Sequence, residues 1–260
     1  MEGVICDIGG TAEPVCAASR IPIFDQERLV ETHCHADPDL WLVENPGFVS
    51  GGNYRWFRDN FGQYELHQAG GEGSQVYDLF NEEAAQVPPG SEGLIMTPTL
   101  MGSVTPTWNA LARGVFFGFS LSHRREHFVR ALLEGSAYAL RDIVDRFQAI
   151  GLEPKEIRAV GGGARSALWR QIKADVTGLP VALPQTVETT VLGAAMLAMA
   201  GSGVVDSLAE AVDLCVKIVE TREPDRQTQQ RYEPYYQLYR SVYFALLPVF
   251  ELAAGISHEE

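Results

Sequence analysis

The 260-residue sequence predicts an α/β fold in which a mixed β-sheet is flanked by α-helices. Two observations lead to this fold class. Short apolar segments of strand length dominate the chain up to about residue 50, and strand-like segments then alternate with long amphipathic helices. Neither half ends in a linker-like segment and no internal repeat is visible, so we expect a single domain.

Short apolar runs bounded by turn residues predict the strands. The first two, Val4–Ile8 and residues 15–18, are joined by a Gly/Pro turn short enough for an antiparallel hairpin. Residues 115–119 are apolar enough for a buried strand. The other predicted strands lie around residues 30–34 and at residues 41–43, 94–97, 157–160 and 181–183.

Apolar residues at helical spacing predict the helices. A continuous apolar stripe from Phe128 to Phe147 predicts a long helix from about residue 122 to 150, which Gly151 ends. Residues 62–74 and 98–113 are predicted to be loops. The remaining predicted helices span residues 54–61, 75–86, 168–177, 190–200, 208–219 and 226–254, the last broken or bent at Pro234 and Pro248.

Composition excludes several classes of partner. With 46% hydrophobic and 21% charged residues the chain is ordinary for a globular protein, and its net charge of −14 disfavours nucleic acid or an anionic membrane as the main partner. A nucleotide stays compatible, because backbone N–H groups can bind phosphate. The four cysteines lack CxxC spacing and no signal peptide is visible, so we expect free thiols, no membrane association and a cytoplasmic location.

Four glycine-rich turns are the candidate ligand sites: residues 9–11, residues 51–52, the neighbourhood of Gly102, and residues 161–163. The last lies between a predicted strand and a predicted helix, where glycine allows close approach and the helix N-terminus offers free N–H groups. A nucleotide seat and a plain tight turn both explain that segment alone, and a plain hairpin equally explains residues 9–11. Neither a P-loop nor a complete GxGxxG is present.

Other candidates carry less weight. His33 and His35 point to one side of a predicted strand and Cys34 to the other, so we predict no metal site there. Asp7 lies in an apolar strand, where a buried carboxylate needs a partner or a function. Glu134, within the long helix, is expected to be solvated or salt-bridged, as is Asp142.

Taken together, the ordered glycine turns and the long helix resemble the FGGY carbohydrate kinases, most closely their xylulokinase-like members. Residues 10–11 resemble the family's phosphate loop, and residues 161–169 resemble its adenosine motif. The other matching segments are residues 50–56, which resemble a Gly-x-x-x-x-Trp helix entry, residues 97–108, which resemble a Pro-x-Leu-x-Gly…Thr-Pro-x-Trp loop, residues 112–135 and residues 192–195.

This resemblance implies an actin-like (ribonuclease H-like) ATPase domain over residues 1–256, followed by a tail at residues 257–260. It implies transfer of the γ-phosphoryl group of ATP, with Mg²⁺, to a hydroxyl of a sugar, a pentulose such as xylulose being the expected substrate. The sugar-binding N-terminal domain and the catalytic aspartate are expected outside this chain. We therefore assign no catalytic and no metal-binding residue and expect no turnover by the chain alone.

The resemblance also implies eight nucleotide-binding residues. They are Gly10 and Thr11 at the phosphates, Gly51 and Arg55 near the nucleotide, and Gly162, Gly163, Ala164 and Ser166 in the adenosine turn. Ala167 stands where some relatives have an adenine-binding asparagine, which leaves the base contact open.

Alternatives remain open at this point. Residues 7–11 also resemble the first phosphate motif of the ROK-type hexose kinases, although the Cys-rich zinc motif of that family is absent. A nucleotide-binding or interaction module without catalysis would retain the same turns. Apolar surface that faces another domain in the parent protein would also allow a homodimer.

Overall fold

A computed structural model describes residues 3–70 and 73–256, so the predicted tail at residues 257–260 lies outside the described residues. The strands are β1 (Val4–Ile8), β2 (Ala12–Ser19), β3 (Glu31–Cys34), β4 (Trp41–Val49), β5 (Ile95–Thr97), β6 (Val115–Phe117), β7 (Glu156–Val160), β8 (Val181–Pro184) and β9 (Ile218–Arg222). The helices are α1 (Gly51–Phe61), α2 (Gln63–Gln68), α3 (Gly73–Ala85), α4 (Arg125–Ala149), α5 (Ala167–Thr177), α6 (Thr189–Gly201), α7 (Leu208–Cys215) and α8 (Arg226–Ile256).

A mixed sheet of seven strands, in the order β3-β4-β2-β1-β7-β8-β9, forms the base of the domain. The predicted hairpin of β1 and β2 is antiparallel, whereas β1 pairs with β7, and β7 with β8, in parallel. The predicted α/β class with a mixed sheet is therefore confirmed. Because β1 is central, the turn after it and the turn after β7 leave the sheet side by side at its carboxyl edge.

The 25-residue helix α4 joins the two main parts of the core. One end packs on the sheet, where Phe147 and Leu140 meet apolar residues of β1, β4, β7 and β8. The other end packs against α3, α5 and α8 and contributes Leu133 and Tyr138 to a cluster rich in aromatic rings. This arrangement holds α1, α3 and α5 beside the glycine turns.

A buried polar network crosses this aromatic cluster. The carboxylate of Glu134 accepts hydrogen bonds from Arg130 Nε (2.7 Å), Gly90 N (3.0 Å), Ser91 Oγ (2.8 Å) and the Tyr232 hydroxyl (2.9 Å). Its side chain is 1% exposed. For Glu134 the predicted salt bridge is correct and the predicted solvation is wrong.

Asp142 shows the same outcome. It is buried, forms an ion pair with Arg240, and accepts a 2.7 Å hydrogen bond from the Tyr236 hydroxyl. Burial raises the pKa of Asp142 to about 6, against the opposing effect of Arg240.

Glu134→Gln should lower the free energy of unfolding by about 2–3 kcal/mol, because the buried Arg130 loses its counter-charge and an acceptor is replaced by a donor. Urea unfolding followed by circular dichroism would measure this. Glu82→Gln, at an exposed position of α3, is the matched control and should change stability by less than about 0.5 kcal/mol. Equal values for the two variants would contradict the structural role of the network.

Three sequence predictions fail locally. Residues 208–219 were expected to form one helix, but α7 ends at Cys215 and β-branched residues then form the antiparallel edge strand β9. Within residues 62–74, predicted as a loop, the structure contains α2 and the start of α3. Residues 115–119 were expected to form a buried strand, but β6 pairs only with β5, outside the main sheet, and Phe117 and Phe119 are exposed.

Helix α8 runs through both of its prolines as one helical element, so the chain is bent at most, and not broken, at the two positions where a break or bend was predicted. By length and composition alone α8 is apolar enough to cross a membrane. One face of its first half nevertheless packs in the protein interior, where Tyr232, Tyr236 and Tyr239 belong to the aromatic cluster of the core.

Candidate functional site

Three of the glycine turns meet at one edge of the sheet and are joined by backbone hydrogen bonds. Gly9 N donates to Val160 O (2.9 Å), and Gly163 N donates to Gly9 O (2.9 Å). On the other side, Gly52 N donates to Thr11 O (3.0 Å). The turn of β1 and β2 is therefore held between the turn that follows β7 and the N-terminus of α1.

This contact requires glycine at two positions. A Cβ on Gly51 would lie 2.3 Å from Gly10 O, and a Cβ on Gly161 would lie 2.8 Å from Gly9 O. Gly161 also has a φ of 79°, which disfavours any other residue. Any larger residue at these positions would force the three turns apart.

The turns form one wall of a cavity of about 630 Å³. The lining residues are Gly9, Gly10, Thr11, Gly51, Tyr54, Arg55, Arg58, Tyr77, Asp78, Asn81, Gly162, Gly163, Arg165, Ser166 and Trp169. The structure thus brings seven of the eight predicted nucleotide-binding residues to one cavity. Ala164 is the exception: its side chain is buried in the core, and its carbonyl accepts a hydrogen bond from Arg170.

The cavity is locally positive in an acidic protein. Among the described residues, three arginines line it, against one carboxylate, Asp78. Arg58 is paired with Asp59 (2.6 Å) and Arg165 lies 3.7 Å from Glu188, whereas Arg55 makes no ion pair within the part of the chain that the structure describes. Helix α1 begins in the same wall, and its N-terminal N–H groups add partial positive charge. This wall suits an anion such as phosphate.

Aromatic rings also line the cavity. The centroid of Tyr54 lies 4.9 Å from that of Tyr77 and 5.9 Å from that of Trp169. Burial raises the pKa of Tyr54 well above its ordinary value, so its phenol stays neutral. Trp169 Nε1 donates to Leu133 O (3.1 Å), which fixes the indole in the wall. Tyr54 and Trp169 are almost fully buried, so the half-buried Tyr77 is the ring of this set on which a heterocyclic base can stack.

The sequence did not indicate several of these wall residues. Arg58 could have been found, because it lies three residues after Arg55 and therefore on the same face of the helix. By contrast, α3 reaches the cavity only through tertiary packing, and nothing in its sequence marks Tyr77 or Asn81.

Metal ligands are not gathered in this cavity. Within residues 3–70 and 73–256 there is no group of three or more His, Cys, Asp or Glu side chains that could hold a metal ion. Mg²⁺ prefers a coordination shell that keeps several waters and includes substrate phosphates. The cavity therefore fits a magnesium ion that arrives with a polyphosphate better than one bound by the protein alone.

The fold and this cavity define an actin-like, ribonuclease H-like domain of the sugar-kinase type. The xylulose kinase of Rhodospirillum rubrum superposes with a TM-score of 0.82 at 30% identity, over 96% of this chain and 49% of that one. The gluconate kinase of Lactobacillus acidophilus superposes with a TM-score of 0.78 at 25% identity, over 94% of this chain and 47% of that one.

Sequence comparison identifies the family. Residues 8–202 match the family model described as "FGGY family of carbohydrate kinases, C-terminal domain". The gluconokinase of Bacillus subtilis (strain 168) is 37% identical over 183 residues, which cover 70% of this chain and 36% of the relative. The xylulose kinase of Staphylococcus epidermidis (strain ATCC 35984) is 31% identical over 242 residues, which cover 93% of this chain and 47% of the relative.

The chain belongs to the FGGY family of carbohydrate kinases and corresponds to the C-terminal domain of these enzymes. The resemblance stated from the sequence is thereby confirmed, and the family match favours it over the ROK-type alternative. The chain spans about half the length of the curated relatives it matches, or less.

Proposed function

We propose that this chain binds ATP in the glycine-lined cavity and acts as the nucleotide half of a cytoplasmic sugar kinase. The observation that carries the proposal is the convergence of three glycine turns and a helix N-terminus on one positive cavity wall. Backbone N–H groups at such a wall bind phosphate without requiring a basic protein overall.

Within the cavity each wall has a separate role. The turn at residues 9–11 and the start of α1 hold the phosphates, and Arg55 supplies a charge that no protein carboxylate neutralises within the described ranges. The base lies against the turn at residues 161–163 and Tyr77, the half-buried ring that lines the cavity. Ser166 caps α5 by accepting from Trp169 N (3.1 Å), so its hydroxyl proton remains available to a ligand.

The chemistry of the whole kinase is in-line transfer of the γ-phosphoryl group to a sugar hydroxyl, for which Mg²⁺ neutralises phosphate charge. Asp78, on α3, is the carboxylate that lines the cavity in the described part of the chain. The catalytic carboxylate and the sugar pocket are assigned to an N-terminal domain in the parent kinase.

The substrate of the parent kinase is proposed to be a pentulose such as xylulose. Relatives named xylulose kinase match over nearly the whole chain. Relatives named gluconokinase match with similar identity, so D-gluconate is the second candidate. Both are linear polyhydroxy compounds of five or six carbons. The domain outside this chain would select between them.

Isothermal titration calorimetry of this chain with ADP and ATP in the presence of Mg²⁺ tests the proposal. We expect saturable binding of both nucleotides, and no sugar phosphate when ATP and D-xylulose or D-gluconate are added. The absence of measurable nucleotide binding would instead support a structural module. Ordinary turnover by the chain alone would contradict the need for a second domain.

A further inference from the structure

Directly behind the phosphate turn lies a buried cluster of three charged side chains. Lys173 Nζ donates to Asp7 Oδ2 (2.6 Å) and forms a second ion pair with Glu13 Oε1 (2.8 Å). The side chain of Lys173 is 4% exposed, and those of both carboxylates are fully buried. In this cluster Lys173 is the partner that Asp7, as a buried carboxylate, needs.

The cluster joins both ends of the turn. Asp7 precedes Gly9 on β1, and Glu13 follows Thr11 on β2, so one ammonium group contacts the two strands that flank the turn. The same ammonium lies 4.9 Å from the ring of Trp169, which lines the cavity. The cluster therefore connects with the ligand site through the backbone and through the indole.

The cluster has one positive group for two carboxylates. The donors that face Glu13 are the ammonium of Lys173 and the hydroxyl of Ser50, and Asp7 Oδ1 has no hydrogen-bond donor in the described part of the chain, although an ionised carboxylate in the interior normally needs several donors. The charged groups that face Glu13 are Asp7 from β1 and Lys173 from α5. Its partner in β4 is the uncharged Phe48, and Ser50, just before α1, presents a hydroxyl.

Burial, and then the charge of Asp7, raise the pKa of Glu13 to about 7, while Lys173 opposes the shift. Near neutral pH the buried carboxyl is consequently present in both its neutral and its ionised form. A further negative charge nearby would favour the neutral form, because charges in a protein interior are weakly screened.

We propose that Glu13 is a positioning residue of the phosphate seat and takes up a proton when an anionic phosphate binds the turn at residues 9–11. This inference rests on the proposed nucleotide site. With Glu13 neutral, the cluster of Asp7 and Lys173 carries no net charge, and the turn above it can accept a polyphosphate without a buried negative charge behind it.

Protonation of Glu13 on binding sets the direction in which the affinity for the nucleotide changes with pH. Proton uptake on binding means that the affinity for the nucleotide falls as the pH rises above the pKa of Glu13 in the free protein. Each unit by which the bound phosphate raises that pKa weakens binding about tenfold at high pH. Below that pKa, Glu13 is already neutral and the affinity is independent of its titration.

Calorimetry with ADP and Mg²⁺ between pH 6 and pH 8.5, in buffers of different ionisation enthalpy, measures the proton uptake on binding and the pH dependence of the affinity. For the unaltered protein we expect net proton uptake near pH 7.5 and an affinity about three- to tenfold lower at pH 8.5 than at pH 6. Glu13→Gln mimics the neutral form and should remove the protein's share of both effects. Protonation of ADP itself contributes equally to the measurements on both proteins, so the difference between the two proteins excludes it.

Two further variants complete the test. Glu31→Gln removes an exposed carboxylate on β3 and should leave the pH profile unchanged. Asp7→Asn removes the neighbouring negative charge, which lowers the pKa of Glu13, and should move the fall in affinity to lower pH. This shift tests the inference even if Glu13→Gln folds poorly, which circular dichroism would reveal.

The outcomes separate this inference from the proposed function. Nucleotide binding with the same pH profile and proton uptake in the unaltered protein, Glu13→Gln and Asp7→Asn would overturn the role of Glu13 and leave the nucleotide site intact. No nucleotide binding by the unaltered protein at any pH would overturn the proposed function and, with it, this inference.

Discussion

Replacing Gly162 with valine is expected to weaken ADP binding by about 30-fold or more, which corresponds to about 2 kcal/mol. Gly162 lines the cavity, and a Cβ built there meets no protein atom within 4 Å. The added methyl groups therefore occupy ligand volume without a clash inside the protein. Calorimetry would give the affinity, and thermal unfolding should show a melting temperature within a few degrees of the unaltered protein.

Gly193→Val provides the matched control. Gly193 also faces open space, but it lies on α6, outside the set of residues that line the cavity. We expect the Gly193→Val variant to bind ADP with the same affinity as the unaltered protein. Unchanged binding by Gly162→Val as well would mean that the nucleotide does not occupy this cavity.

Lys173→Met is expected to destabilise the fold by about 3–5 kcal/mol, because it leaves two buried carboxylates without their counter-charge. Methionine fills most of the volume of the lysine stem, so lost packing contributes little. Urea unfolding followed by circular dichroism would measure the free energy of unfolding. A cost below about 1 kcal/mol would mean that the ion cluster does not stabilise the fold.

A triple variant separates the effect of the lost charge from the effect of the lost packing. Asp7→Asn, Glu13→Gln and Lys173→Met together remove all three charges while nearly preserving volume. Because replacing a whole buried ion cluster is often neutral, the triple variant should recover much of the stability that Lys173→Met loses. A triple variant no more stable than the single one would assign the loss to packing.

Much of the site was predictable from the sequence because its turns are local. A strand, a pair of glycines and a following helix are encoded within a dozen or so neighbouring residues, and the fold then brings the ends of β1 and β7 together. For this reason Gly10, Gly51 and Gly163 reach one cavity as the resemblance implied. Their contacts with a nucleotide remain predictions.

Features that depend on distant parts of the chain were not predictable in the same way. The partner of Asp7 is Lys173, which lies 166 positions away. Its spacing from Trp169 and Val176 puts Lys173 on the apolar face of α5, but no local pattern identifies the carboxylate that it meets. The wall residue Tyr77 became visible only when α3 packed beside α1. The edge strand β9 was missed because the apolar pattern of α7 continues into it without a break.

The backbone hydrogen bonds between the glycine turns have a consequence for how variation is tolerated. Because Gly9 O accepts from Gly163 N and Thr11 O accepts from Gly52 N, a displacement of one turn must be transmitted to the others. Substitutions in two turns should therefore show epistasis, with double-mutant cycles that depart from additivity. The three turns would then be inherited as a unit, whereas the aromatic rings on α1, α3 and α5 can diverge residue by residue.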